Sequence, residues 1–211
     1  VLEKFGIELV TIKEFSCCGP APLYSLDHNG ALAISARNLA VAAERGLDIL
    51  TLCSGCFETL LKAKMELEEN IEARKAVNRI LERLGKRIDS SVDVKHIVTV
   101  LLEDIGINKI KKFVKRPLRG IKVATFPGCH LFRPSRVIKP KDDPQRPKSL
   151  DRLVEALSAT SMEYSGKYEC CGGTLSGIDQ ILSIKMAREK IASASEEGAD
   201  CIVTACPFCF I

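Results

Sequence analysis

Short apolar, β-branched runs recur along the chain, and each ends just before a cysteine. Ile7 to Ile12 precedes Cys17, Ile49 to Leu52 precedes Cys53, Ile121 to Phe126 precedes Cys129, and Ile202 to Ala205 precedes Cys206. Met162 to Tyr164 is a weaker run before Cys170. Runs of this kind predict strands. Helical spacing follows them. Leu32, Ala36, Leu39 and Ala43 share one helical face, as do Ile184, Ala187, Ile191 and Ala194. Val77, Ile80, Leu81 and Leu84 extend a long charged helix after Cys56, and Leu150, Leu153, Val154 and Leu157 mark another. The alternation predicts an α/β fold of two similar halves, each a small, mostly parallel sheet with flanking helices. Every cysteine group then falls at a strand carboxyl end, the edge at which such sheets bind ligands, beside helix N-termini that favour anions.

The cysteines form an internal repeat. Cys17-Cys18-Gly19 is followed by Cys53-Ser54-Gly55-Cys56, and Cys170-Cys171-Gly172 by Cys206-Pro207-Phe208-Cys209. Cys53 follows Cys18 by 35 residues, and Cys206 follows Cys171 by the same interval. The intervening segments match as well: Ala42 to Thr51 parallels Ala194 to Thr204. Cys129, upstream of Cys170, has no partner upstream of Cys17. The expectation is a first half, 1–115, that is truncated at its N-terminus, and a second, 116–211, that is truncated at its C-terminus. The basic segment Lys109 to Lys122, with Pro117 and Gly120, marks the boundary. The glycines at 19, 55, 128, 172 and 173 suit tight turns that bring backbone N–H groups to sulfur, and Pro207 suits a first helical turn.

Composition narrows the field. Of 211 residues, 46% are apolar, enough for one large or two small cores. A net charge of +4 is too mild to argue for nucleic acid. No apolar run approaches the ~18 residues of a membrane helix, and the first residues lack a signal-peptide pattern, so the expected location is the cytoplasm. Ten cysteines in a chain of this length favour metal or redox chemistry over disulfide staples.

A lone Cys-x-x-Cys fits a thioredoxin-like redox pair, but that reading leaves the double cysteines unused. Vicinal thiols together with a Cys-x-x-Cys pair crowd a single tetrahedral zinc, whereas a polynuclear cluster accepts them because its ligands go to different irons. The second half offers five thiols, Cys129, Cys170, Cys171, Cys206 and Cys209, against the four of a cubane, so either the cluster is non-standard or one thiol is spare. Cys201 lies on an apolar strand and reads as core. His130, next to Cys129, suits a proton or hydrogen-bond donor to a reacting sulfur, or a packing role. His96 reads as structural. Arg133, Arg136, Lys139 and Lys141, in the Pro-rich loop 133–148, form either a steering patch for an anion or a solvated face.

With the motif present twice, the chain resembles the family of duplicated cysteine-rich CCG domains that includes the B-type, catalytic subunit of heterodisulfide reductase. Pro127 to Ser135, Asp142-Asp143-Pro144 and Leu150 to Leu157 look most like that B-type subunit. The resemblance implies a cytoplasmic oxidoreductase of methanogenesis with two non-cubane [4Fe-4S] clusters. Cys129, Cys170, Cys171, Cys206 and Cys209 would hold one, and Cys17, Cys18, Cys53 and Cys56 the other, with His130 as a catalytic group. It also implies a small-molecule substrate, the disulfide of coenzyme M and coenzyme B, cleaved between the clusters. Electrons would be delivered by partners, the C-type and A-type subunits of heterodisulfide reductase. The alternative is a non-catalytic iron-sulfur protein passing electrons for a flavin oxidase or quinone-linked complex.

Overall fold

The computed structural model describes residues 1–19, 22–90 and 92–211. In the first half, strands β1 (Ile49–Thr51) and β2 (Val94–His96) pair in parallel. In the second, β3 (Lys122–Phe126) lies between β4 (Thr160–Met162) and β5 (Cys201–Thr204), again in parallel. Helices α1 (Leu23–Leu26), α2 (His28–Ala43), α3 (Ser54–Glu69), α4 (Ile71–Leu81), α5 (Ile97–Thr99) and α6 (Ile107–Phe113) belong to the first half. The second half carries α7 (Ser135–Ile138), α8 (Ser149–Ala156), α9 (Gln180–Glu196) and α10 (Pro207–Phe210). Because the strands of each sheet run one way, Cys53, Cys129 and Cys206 all leave carboxyl ends, at β1, β3 and β5.

The repeat is visible in the helices that link each double cysteine to its Cys-x-x-Cys. Asp27 caps α2 by accepting from Gly30 N at 2.9 Å, and Asp179 caps α9 by accepting from Leu182 N at 2.9 Å. Counting from those caps, Ala31, Asn38 and Ala42 stand in register with Ser183, Lys190 and Ala194, and all six are buried. The equal spacing of the cysteines therefore conceals two compensating one-residue changes, one in the loop before the cap and one at the following strand.

Four expectations are corrected. Ile7 to Ile12 forms no strand: nothing pairs with it, and most of it is exposed. The long helix after Cys56 is two helices, because Asn70 leaves helical geometry (φ −123°, ψ 99°) and its side chain accepts from Ala73 N to start α4. In α9 the helix is right and Ala194 is buried as expected, but Ile184 and Ile191 are 59% and 58% exposed, while Ser183 and Lys190 face inward in their place. Cys201 is exposed rather than core, since β5 is an edge strand.

The main core is built by Leu32, Leu39, Phe57, Leu60, Val77, Leu81 and Val94 of the first half, and Leu131, Phe132 and Leu150 of the second complete it. The halves thus share packing. The loop 133–148 stitches them further, through Arg136 to Glu69 at 3.3 Å and Lys141 to Glu103 at 2.6 Å. Two of the four basic residues are thereby engaged with the other half, in exposed pairs that contribute at most ~1 kcal/mol each.

Within the second half, Lys167 is fully enclosed and donates to Asp151 Oδ1 at 2.7 Å, where Thr125 Oγ1 also donates at 2.8 Å. These contacts tie α8 to β3 and to the loop before Cys170. Lys167→Met leaves the Asp151 carboxylate buried without its cation, and a loss of roughly 3–5 kcal/mol is expected in urea unfolding. A loss under ~1 kcal/mol would show that the pair does not secure this segment.

Candidate functional site

Cys53 is the N-cap residue of α3, and its sulfur accepts from Cys56 N at 3.4 Å. Cys206 is the N-cap of α10, with Pro207 at the first helical position. The Cys-x-x-Cys spacing therefore puts two sulfurs on the first turn of a helix, among free N–H groups.

The remaining thiols converge on these pairs. In the second half Cys171 Sγ is 3.5 Å from Cys209 Sγ, and Gly173 N donates to Cys171 Sγ and Gly172 N to Cys170 Sγ, each at 3.3 Å. Cys209, interacting with both Cys171 and Cys206, has its thiol pushed far up. The same contacts draw Cys171 down to about 6 and Cys206 to about 7. The first half repeats the arrangement. Cys18 is held below the usual thiol range chiefly by Cys56, which is itself pushed up to about 11 by Cys18, and Cys53 is pushed up by Cys56. The chains Cys18, Cys56, Cys53 and Cys171, Cys209, Cys206 correspond in position, although Cys53 is raised where Cys206 is lowered. Cys17 and Cys170, the leading members of the vicinal pairs, are exposed at the rim. Cys129 sits in a turn that abuts the second set, for a Cβ on Gly128 would lie 3.6 Å from Cys206 Cβ and 3.7 Å from Cys209 Sγ.

The two sets also meet each other. Ser54 Oγ donates to Ala205 O at 2.7 Å and Ser54 N to the same oxygen at 3.3 Å, joining the loop of Cys53 to that of Cys206. The Phe208 ring lies against Gly55, where a Cβ would come within 2.9 Å of it. His130 sits at the same seam. Its Nδ1 is 2.5 Å from Glu58 Oε2 of α3, and its ring is 6.1 Å, centroid to centroid, from Phe208. Cys129 first, and Glu58 second, raise the imidazole from 6.5 to about 11. Glu58 and Phe208 carried no sequence signal of their own, being opposite partners across the seam. His28 is elsewhere, 3.3 Å from Glu66.

His96, the last residue of β2, is wholly buried beneath the seam. Its Nδ1 accepts from Val98 N at 3.2 Å and its Nε2 faces Ser54 Oγ at 3.4 Å. Burial pulls its pKa from 6.5 down to about 4. The unfolded chain binds this proton near pH 6.5 and the folded chain only near pH 4, so the stabilisation is complete above 6.5 and is lost as pH falls through that window. Wild type should lose about 3 kcal/mol more than His96→Gln between pH 7 and pH 4, measured by urea unfolding. Parallel pH profiles would contradict a neutral, buried ring.

Among the described residues no three His, Cys, Asp or Glu side chains converge on a single-ion position. The donor set nevertheless suits an iron-sulfur group: it is all thiol, free of carboxylates, and lined by N–H groups aimed at sulfur. A cluster spreads its ligands over several irons and needs a wider ring than one ion does.

Residues 1–61 and 123–211 match the family model of the CCG cysteine-rich domain. The chain belongs to this family, in the duplicated form found in B-type subunits of heterodisulfide reductase. It is 41% identical, over its whole length and 72% of the relative's, to a B-type heterodisulfide reductase-like protein of Archaeoglobus profundus. It is 37% identical, over its whole length and 70% of the relative's, to the B-type subunit of a ferredoxin/F420H2-dependent CoB-CoM heterodisulfide reductase of Methanosarcina acetivorans. An 8-methylmenaquinol:fumarate reductase membrane anchor subunit of Wolinella succinogenes is 33% identical over 97% of this chain and 70% of that protein. Among solved structures, a hypothetical protein from Helicobacter pylori shares the fold, with a TM-score of 0.73 at 17% identity, over 99% of this chain and 37% of that one. An iron-sulfur, electron-transferring role fits this CCG membership. Among the described residues no helix is long and apolar enough to cross a membrane.

Proposed function

We propose that this CCG protein is the disulfide-cleaving component of a heterodisulfide reductase, acting on the mixed disulfide of coenzyme M and coenzyme B at two iron-sulfur centres. Cys129, Cys170, Cys171, Cys206 and Cys209 hold one non-cubane [4Fe-4S] centre, and Cys17, Cys18, Cys53 and Cys56 hold the other. The carrying observation is the seam at Ser54 and Ala205, where the two thiol sets adjoin beside His130. When bound, the clusters would supply the two electrons that the substrate disulfide takes up.

The chain's own residues manage protons and position. Cleaving R–S–S–R′ with two electrons and two protons yields two thiols. Glu58 fixes Nδ1 of His130, leaving Nε2 to carry a proton to one departing sulfur, with the other proton drawn from solvent. Ser54 and Phe208 hold the two Cys-x-x-Cys loops in register. Electrons come from the C-type and A-type partner subunits, since the chain has no Gly-x-Gly-x-x-Gly nucleotide fingerprint, and the complex resides in the cytoplasm. The division at 115/116 is a boundary of the repeat, across which the core is shared.

The test is protein reconstituted with iron and sulfide, given a viologen reductant and the heterodisulfide. Release of both thiols is expected; a sample with both centres intact that leaves the disulfide untouched refutes the assignment. The Wolinella relative favours a second reading, a relay that passes electrons to a catalytic partner for a different acceptor. In that case the isolated protein cycles its centres but cleaves no disulfide.

A further inference from the structure

The vicinal and Cys-x-x-Cys thiols of the two sets correspond, but the charge beside them does not. At the position where α2 presents Asn38 to the first set, α9 places Lys190, which lines one cavity together with Cys170 of the second set. Asn38 is neutral, donating from Nδ2 to Ser16 O at 2.9 Å and to Cys18 Sγ at 3.5 Å. Lys190 is buried. Its Nζ donates to Gly166 O and lies 3.9 Å from the centroid of the Phe126 ring, whose π face receives a cation. Burial lowers its pKa, and the sulfurs of Cys171, Cys209 and Cys170, together with Glu169, act against that. Lysine is almost never buried without a partner, and a carbonyl and a ring leave its charge free to act on the thiol set.

We propose that Lys190 is a positioning residue that makes the second-half centre easier to reduce than the first, so that the first electron entering the protein settles on the second half. The idea rests on the iron-sulfur reading above. Adding an electron makes a thiolate-bound centre more negative, and a fixed buried cation favours that reduced state. The electron donor is any low-potential one-electron reductant, and the step adds one electron to the centre without breaking a bond. Asn38, carrying no charge, leaves the first centre at the lower potential.

The test is a reductive titration followed by electron paramagnetic resonance, on wild type, Lys190→Gln, Lys190→Arg and Asn38→Lys. Lys190→Gln should shift the reduction equilibrium of the second centre at least tenfold toward the oxidised form, 59 mV for one electron, and leave the first unmoved. Lys190→Arg should restore most of that shift, and Asn38→Lys should raise the first centre. A purely structural lysine predicts unchanged potentials in every variant that retains its iron, and that result overturns the proposal. If Lys190→Gln fails to retain the second centre, Asn38→Lys decides: a raised first centre supports the proposal and an unmoved one overturns it. Wild-type protein without two titrating centres refutes the iron-sulfur reading itself, and the proposal with it.

Discussion

Replacing Gly173 by alanine should strip iron from the second thiol set while sparing the first. A Cβ at this position would fall 2.1 Å from Phe208 O, a backbone atom of α10 that cannot move without carrying Cys206 and Cys209 with it. The same carbonyl contacts Cys171 Sγ at 3.6 Å, and Gly173 N donates to that sulfur, so one methyl group disturbs all three adjoining thiols, Cys171, Cys206 and Cys209. Losses in supporting contacts of this kind weaken metal affinity ~10- to 100-fold, and a strained loop places Gly173→Ala at the upper end. Gly177 is the control, since nothing lies within 4 Å of a Cβ built there. Iron analysis after gel filtration should find about half the wild-type content in Gly173→Ala and the full content in Gly177→Ala. Equal iron in both would mean that the second set does not bind metal through this loop.

His130→Gln should lower the rate of disulfide cleavage by ~10²- to 10⁴-fold, the range for loss of a positioned proton donor. Iron content should be unchanged. The side chain stands between Cys129, Glu58 and Phe208, where Nδ1 meets the carboxylate and the second nitrogen is the proton donor proposed above. Glu58→Gln keeps the geometry but removes the charge that fixes the ring, and a smaller loss is expected. Steady-state assays with viologen, read beside iron content, separate these effects. A His130→Gln protein with wild-type turnover would remove the histidine from the mechanism.

The thiol sets were legible because chemistry repeats in sequence: two vicinal pairs, two Cys-x-x-Cys motifs and one interval announce two equivalent sites. The parallel strands before Cys53, Cys129 and Cys206 were legible for a related reason, since each is a short run rich in β-branched residues, the exposed edge strand β5 included. Partners across the seam were not. Glu58 looks like one more acidic residue on a charged helix, and only the approach of the two halves brings it to His130. Lys190 misled the helical reading, because a buried lysine scores as polar while Ile184 and Ile191 score as core. The run Ile7 to Ile12 shows the opposite failure: an apolar stretch makes a strand only where another strand offers its ladder.

The most direct test is iron and acid-labile sulfide per chain in protein purified without oxygen, compared with Cys56→Ala and Cys209→Ala. Two centres predict about eight irons per wild-type chain and about four in either variant, each variant losing a different paramagnetic signal. A colourless protein holding one zinc, or a wild type whose iron is untouched by either substitution, would contradict the account.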